Sequence, residues 1–355
     1  PVRPLMPWQQ FFMACAARLG QKDSQEMEDM DQVNAATANM PKVEMGDAGE
    51  ESVSAEMIRV LLSHNQDGNC MFGKMRISCN KPWRVDGQEL DASESFSMDG
   101  SCITEEYCKV SSDKKNAEFF LEYDGLKRKS TRYRGTLIFY PAADGFYVVN
   151  ELPLETYVAY TVPGEMPASY PAEALKAQAV CSRTYAIKNL GSLEEYHADV
   201  DDSVSWQVYN GQDADKRATD AVKATAGEIL LWREKPADIY FFSTSCGLTS
   251  RKDIWNPQEE DNCLKAAYVG AEGSMPESEK AFAAYIRSED KNAWESGMPW
   301  FRWKMKLPLS RLQELSEQKK SGMGEVVSIE VTSRSSGWAA TELTVNCEKG
   351  SYTVD

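Results

Sequence analysis

The sequence predicts an α+β protein. A helical core with its own β hairpin is flanked by an N-terminal, mostly antiparallel β region and a C-terminal α/β segment. Three observations carry this. Residues 173–188 contain no helix breaker, and Leu175, Ala179 and Ala186 fall on one narrow stripe. From residue 57 onward, the short runs MIRVLL, KMRISC, FFLEY, GTLIFY and GFYVVN are separated by turns such as Asp144-Gly145. Near the end, the helical pattern LSRLQELSEQKK precedes two strand-like stretches, VVSIEVTSRS and ATELTVNCEKGSYTV.

Taken in order, residues 1–55 form an N-terminal segment and a flexible linker. Residues 5–18, LMPWQQFFMACAAR, are apolar but interrupted by Gln9 and Gln10. They read either as an ordinary helix or as a lipoprotein-type cleavage site at Cys15. Residues 21–52 are acidic and rich in Met, Gln and Asn without a period, the texture of disorder. A chain that opens on Pro1 and stops mid-pattern is expected to lack its true ends.

The β-rich region covers residues 56–150, with Cys70/Cys79 and Cys102/Cys108 as candidates for local bridges. The core follows, residues 151–255. Here a stiff loop of Pro163, Gly164, Glu165, Met166 and Pro167 leads into the alanine-rich helix. Pro171 suits the first turn, where its missing N–H costs nothing, and Glu173 faces the positive helix end. A second amphipathic helix is expected over 213–226, with Ala218, Ala221, Val222 and Thr225 inward and Gly227 as its αL residue. EILLW, a turn at Glu234-Lys235-Pro236 and DIYFFSTS are expected to form the hairpin. Residues 256–298 are an acidic, proline-bearing insertion or lid, and residues 299–355 form the C-terminal segment, with PWFRWKMKL as a strand.

Composition narrows the class of function. With 39 basic and 55 acidic residues among 355, the net charge of −16 argues against nucleic acid as a partner. No apolar run is long enough for a membrane span. Nine cysteines form no CxxC, and the two histidines, His64 and His197, lie far apart, so a zinc site has little to build from. A few disulfides in an oxidising envelope compartment fit better. The aspartates at 199, 201, 202 and 213 fail the spacing of a calcium loop, which needs a glycine at the sixth position and a terminal glutamate. No cofactor and no metal is expected.

Chemistry concentrates around residues 152–190. A carboxylate on a rigid loop beside a basic helix flank, Lys176 and Arg183, can be held close to a substrate. Desolvation on such a loop raises a carboxyl pKa, which suits an acid/base group. The other reading of Glu165 is a cap on the following helix. Arg183 is either a bidentate clamp for a carboxylate or half of an ion pair with Glu173 or Glu155. Gln178 and Tyr185 point off the apolar stripe. With Gln207, Tyr209, Ser243, Thr244 and Ser245 they can line a cleft or serve the core, and Trp206 and Trp255 can stack on a ring or pack inside.

The pieces VVNELPLETYV, VPGEMPASYPAEALKAQAV, SRTYA, QVYNG, AVKATAGEIL and YFFSTSCG, in order across roughly 146–250, resemble the stage II sporulation protein D family, which includes amidase enhancers. The resemblance implies a lytic transglycosylase that cleaves peptidoglycan between N-acetylmuramic acid and N-acetylglucosamine, leaving a 1,6-anhydro end. Glu165 corresponds to the family's catalytic glutamate and Arg183 to its important arginine. Such an enzyme manages with one carboxylate, because the sugar's own 6-hydroxyl replaces water.

Departures accompany the resemblance. Where some members carry a Cys/His zinc site, this chain has Asp201, Ser205 and Trp206. The glycine pair after STS reads Cys246-Gly247, and a Pro-Tyr-Leu-basic run is Asn262, Cys263, Leu264 and Lys265. Cys246 and Cys263 are expected to lie close enough for a disulfide, worth on the order of 3 kcal/mol. The implied setting is the cell envelope, with glycan strands as substrate and a cell-wall amidase as a further partner. The alternative is a non-catalytic enhancer of that amidase.

Overall fold

The computed structural model describes residues 56–63, 69–126, 131–209, 215–242, 244–254, 263–298 and 300–355. Cys15 and the 1–55 linker, His64, Asp213, Ser243, Trp255 and Asn262 therefore lie outside the described residues. The protein is mixed α+β and divides between Ile239 and Tyr240 into two compact units.

The first unit contains strands β1 (Met57–Leu61), β2 (Lys74–Cys79), β3 (Trp83–Val85), β4 (Gln88–Leu90), β5 (Ser95–Asp99) and β6 (Cys108–Ser111). It continues with β7 (Phe119–Tyr123), β8 (Thr131–Tyr133), β9 (Thr136–Ala142), β10 (Gly145–Pro153) and β11 (Val200–Asp201). One sheet runs β11-β1-β10-β9-β6-β3-β4 and a second runs β5-β2-β7-β8. Every pairing is antiparallel except β1 with β11, where Val60 faces Val200.

Period-two alternation explains the faces. In β2, Met75, Ile77 and Cys79 are buried between exposed neighbours. β10 is buried on both sides. Phe146, Val148 and Leu152 enter the main core, while Tyr147 and Val149 pack with Leu61, Cys70 and Ala198 behind it. A strand so placed reads as the continuous run GFYVVN rather than as an alternation.

Three helices follow: α1 (Leu154–Glu165), α2 (Ala172–Lys188) and α3 (Lys216–Ala224), each packed on the other two. Leu175, Ala179 and Ala186 are fully buried, and the small alanines let the helices approach closely. Leu175→Ala would remove about 2–5 kcal/mol. Asp215 caps α3 by accepting from Arg217 N–H at 2.7 Å, and Ala218, Ala221, Val222 and Thr225 are inward as expected. Gly227 has φ of +77°.

Several expectations are corrected. Pro163 lies inside α1, not in a loop. It forfeits one hydrogen bond, but the buried Tyr157, Val158, Thr161 and Val162 hold the helix through it, and Met166 N–H still reaches the Val162 carbonyl at 2.9 Å. Pro171 is the N-cap of α2 rather than a first-turn residue. The hairpin is only β12 (Leu231–Trp232) with β13 (Lys235–Pro236), and its turn is Arg233-Glu234, both at positive φ. The hairpin bonding ends at Ala237, whose N–H donates to the Leu230 carbonyl at 2.9 Å, and the described residues of DIYFFSTS form no strand. The eight described cysteines form no disulfide with one another, so Cys70/Cys79, Cys102/Cys108 and Cys246/Cys263 are not bridged.

The second unit contains α4 (Glu279–Tyr285), α5 (Leu309–Lys319) and an antiparallel sheet of β14 (Val326–Arg334), β15 (Ala340–Cys347) and β16 (Gly350–Val354). PWFRWKMKL, expected as a strand, has no ladder partner among the described residues. Its alternating Trp303 and Met305 are exposed instead.

Candidate functional site

α1 positions the central carboxylate. Tyr157, Thr161 and Glu165 recur every four residues and share one face of the helix. Glu165 is the last helical residue and is half-buried. Its Oε1 accepts from the Val208 backbone N–H at 2.7 Å. Burial pushes its carboxyl above the ordinary range, against the pull of that hydrogen bond. Glu165 is not a cap for α2, whose N-cap Pro171 has no side-chain bond.

The segment after β11 closes over this face. The Tyr157 hydroxyl donates to Gln207 Oε1 at 3.2 Å, and both residues are fully buried. Gln207 Nε2 is buried without a hydrogen-bond partner among the described residues. Burial holds the Tyr157 hydroxyl well above its usual range, and the nearby Glu165, Tyr185 and Asp201 push the same way. Asp201 therefore brings a second carboxylate to this neighbourhood. Burial raises its carboxyl too, opposed by hydrogen bonds from Ser203, whose N–H lies at 2.7 Å, and from Trp206.

The neighbouring aspartates have structural work. Asp199 receives Arg59 at 2.8 Å and Gly191 N–H at 2.9 Å, and the fully buried Asp202 receives Ser63 Oγ at 2.5 Å. At the three positions that departed from the zinc pattern, Asp201 takes hydrogen bonds, Ser205 N–H donates to Ser203 Oγ, and Trp206 packs against the core. These donors suit a hydrogen-bonded clasp rather than a tetrahedral metal set.

Arg183 is fully buried. Nε and Nη2 hold the Glu155 carboxylate at 2.7 and 2.8 Å, and Nη1 donates to the Glu228 carbonyl at 3.0 Å. The expected clamp is thus spent inside the protein, on one of the two acidic partners the sequence offered. Lys176 stands apart from it, half-exposed and paired with Glu173 at 2.7 Å. Gln178 is buried and bonded to Ser182, Tyr185 is half-buried, and the Tyr209 hydroxyl donates to Asn150 Oδ1 at 2.8 Å in the core. Of the expected set, Glu165, Gln207 and Tyr185 gather around Tyr157.

Thr244, Ser245 and Lys265 belong to the second unit. There Thr244 and Ser245 bind the Glu295 carboxylate, while Lys265 is exposed and its carbonyl accepts from Thr249. Tyr157, Asn150 and Glu295 escaped the sequence reading. Tyr157 could have been found from its spacing to Glu165, had a helix been drawn through Pro163.

An α+β protein with a half-buried carboxylate closing one helix is the class these features define. Residues 142–232 match the family model described as Stage II sporulation protein, and they form a domain of the sporulation protein D and amidase-enhancer family. The stage II sporulation protein D of Bacillus subtilis is 37% identical over 30% of this chain and 36% of its own length. The amidase enhancer of the same organism is 34% identical over 27% of this chain and 13% of its own. An uncharacterized protein of Brachyspira hyodysenteriae is 40% identical over 38% and 36%, respectively. The chain spans about a third of the length of the first of these curated relatives.

Proposed function

We propose that the first unit acts on the cell wall as a lytic transglycosylase, cutting peptidoglycan glycan strands with Glu165 as acid and then base. The observation that carries this reading is the Glu165 carboxyl itself: half-buried, raised by desolvation, and fixed by a single N–H from Val208. Burial favours the protonated form of this carboxyl, the form that donates to the glycosidic oxygen as the bond to the muramic anomeric carbon breaks. The resulting carboxylate keeps the Val208 N–H and takes the proton of the sugar's 6-hydroxyl. That oxygen then closes onto the anomeric carbon as the 1,6-anhydro ring, and Glu165 returns to its acid form. Gln207, with its buried Nε2 unspent, and Tyr185, which gather with Glu165 around Tyr157, are the groups offered to a sugar hydroxyl. The setting is the cell envelope, and among the described residues no helix is long and apolar enough to cross a membrane.

A second reading is a non-catalytic glycan binder that stimulates a cell-wall amidase. The similarity to an amidase enhancer and the consumption of Arg183 by Glu155 favour it. Glu165→Gln separates the two. The enzyme reading expects a loss of about 10²–10⁴-fold in anhydro-ended fragments, read by mass spectrometry of digested glycans. Release at the wild-type rate sinks the mechanism, while amidase stimulation unchanged by the substitution speaks for the enhancer.

A further inference from the structure

In the second unit a carboxylate sits inside a ring of donors. Glu295 accepts from the backbone N–H of Ser245 at 2.7 Å and of Gly247 at 3.1 Å, and from the hydroxyls of Thr244 and Ser245. Four donors converge on two oxygens, and the carboxyl is held below the ordinary range by these bonds although burial opposes it. The loop that supplies them is unusual in its backbone. Cys246 has φ of +55°, rare for a residue with a side chain, and Gly247 has φ of +86°. A Cβ on Gly247 would come within 2.3 Å of the Tyr285 hydroxyl, so only glycine fits there.

The loop is also polarised from behind. The Cys246 carbonyl accepts from Arg302 Nη1 and from the Tyr285 hydroxyl, each at 2.9 Å. The same peptide unit presents the Gly247 N–H to Glu295. A cationic donor on its C=O strengthens its N–H as a donor, because hydrogen bonds in a chain reinforce one another. Backbone strain, a forced glycine and a guanidinium behind the peptide make an anion receptor of this loop.

We propose that residues 244–247 form a binding site for a ligand carboxylate, and that Glu295 is its built-in occupant. Glu295 comes from the acidic stretch 263–298, so this stretch closes the site by mimicking an acidic ligand. The ligand class is a small hydroxy-acid or sugar-acid carboxylate, of which the lactyl group of N-acetylmuramic acid is an example. The choice of a muramic sugar rests on the glycan reading above, whereas the carboxylate chemistry does not.

The test is a titration of the full chain, with no turnover step, so it is independent of Glu165. Wild type, Glu295→Ala and Glu295→Ala/Ser245→Ala are titrated with lactate, its neutral isostere lactamide, N-acetylmuramic acid and N-acetylglucosamine. Glu295→Ala is expected to bind lactate and N-acetylmuramic acid at least tenfold more tightly than wild type, without binding lactamide or N-acetylglucosamine. Adding Ser245→Ala should remove most of that gain. Lactate binding without N-acetylmuramic acid binding supports the carboxylate site and overturns the muramic ligand. Folded Glu295→Ala that binds lactate no better than wild type, or no better than lactamide, overturns the site. If Glu295→Ala unfolds, its melting temperature must rise with lactate and not with lactamide, and equal effects overturn the proposal.

Discussion

The Arg183 guanidinium and the Glu155 carboxylate meet fork to fork, at 2.7 and 2.8 Å, with the arginine wholly buried. The pair joins α2 to the start of α1, and the remaining donors of Arg183 reach the Glu228 and Val222 carbonyls. Such a pair is costly to break from one side, because the surviving charge stays desolvated. Arg183→Ala is expected to lose on the order of 3–5 kcal/mol of unfolding free energy. Arg183→Lys should lose nearly as much, since a point charge cannot serve four acceptors set for a planar fork. Urea unfolding measures both. Unchanged stability with lost activity would return Arg183 to the role of a substrate clamp.

Glu165 makes stability depend on pH in a definite direction. Its carboxyl is raised in the folded state by burial, so the fold binds this proton more tightly than the unfolded chain does. Stability from this group is fully present below the unfolded value of about 4.3 and is lost as pH rises through the folded pKa. Asp201 and the fully buried Asp202, both raised by burial, act with the same sign. Glu165→Gln should match wild type near pH 4 and exceed it near pH 7 in urea unfolding. Parallel curves at all pH values would show that the Glu165 carboxyl is not perturbed.

Gly247 and Tyr285 are expected to be coupled. Gly247→Ala adds a methyl group 2.3 Å from the Tyr285 hydroxyl at a φ of +86°. The αL penalty alone is about 1–2 kcal/mol, and the clash adds to it. Tyr285→Phe removes the hydroxyl and should recover the clash portion but not the backbone portion. A double-mutant cycle of thermal unfolding measures the difference, and strict additivity would contradict the contact.

Thiol reactivity should rank by burial. The Cys108 thiol is pushed up to about 12 by burial, with Asp86 adding to it, and burial raises Cys70, Cys79 and Cys181 as well. Alkylation of the native protein at pH 8, followed by peptide mapping, should leave Cys108 unlabelled until the fold is opened. Early modification of Cys108, or a mass shift on reduction showing bridged cysteines, would contradict this picture.

Much of the fold was legible because its signals are local. The strand runs β1, β2, β7, β9 and β10 announce themselves by apolar pattern, and α2 by its unbroken propensity and small-residue stripe. Short strands such as β3, β4 and β11 were not legible, because three or fewer residues owe their pairing to neighbours far away in sequence. Pro163 to Glu165 were read as loop because Pro163 is a breaker by propensity, and tertiary burial of Tyr157 and Val162 overrides it. Glu165 stood out by its motif. Its real partner, the Val208 N–H, was not, because a backbone donor leaves no mark in the sequence. Glu295 was hidden in an acidic stretch where one carboxylate looks like another until the loop it enters is known.

The parallel pairing of β1 with β11 has a kinetic consequence. Arg59 and Asp199 are 140 residues apart, and their contact closes a loop around most of the first unit. At synthesis rates of about 5–20 residues per second, β1 waits roughly 7–28 s for β11 to be made. Until then β1 keeps an open edge on the side away from β10, and a contact of such long sequence separation is slow to form even afterwards. A fragment cut to residues 142–232, the portion that matches the family model, would lack β1 and nearly all of β9, the two neighbours of β10, and leave both edges of that strand unpaired. The stretch that matches the family model is therefore shorter than the stretch that completes its strand pairing.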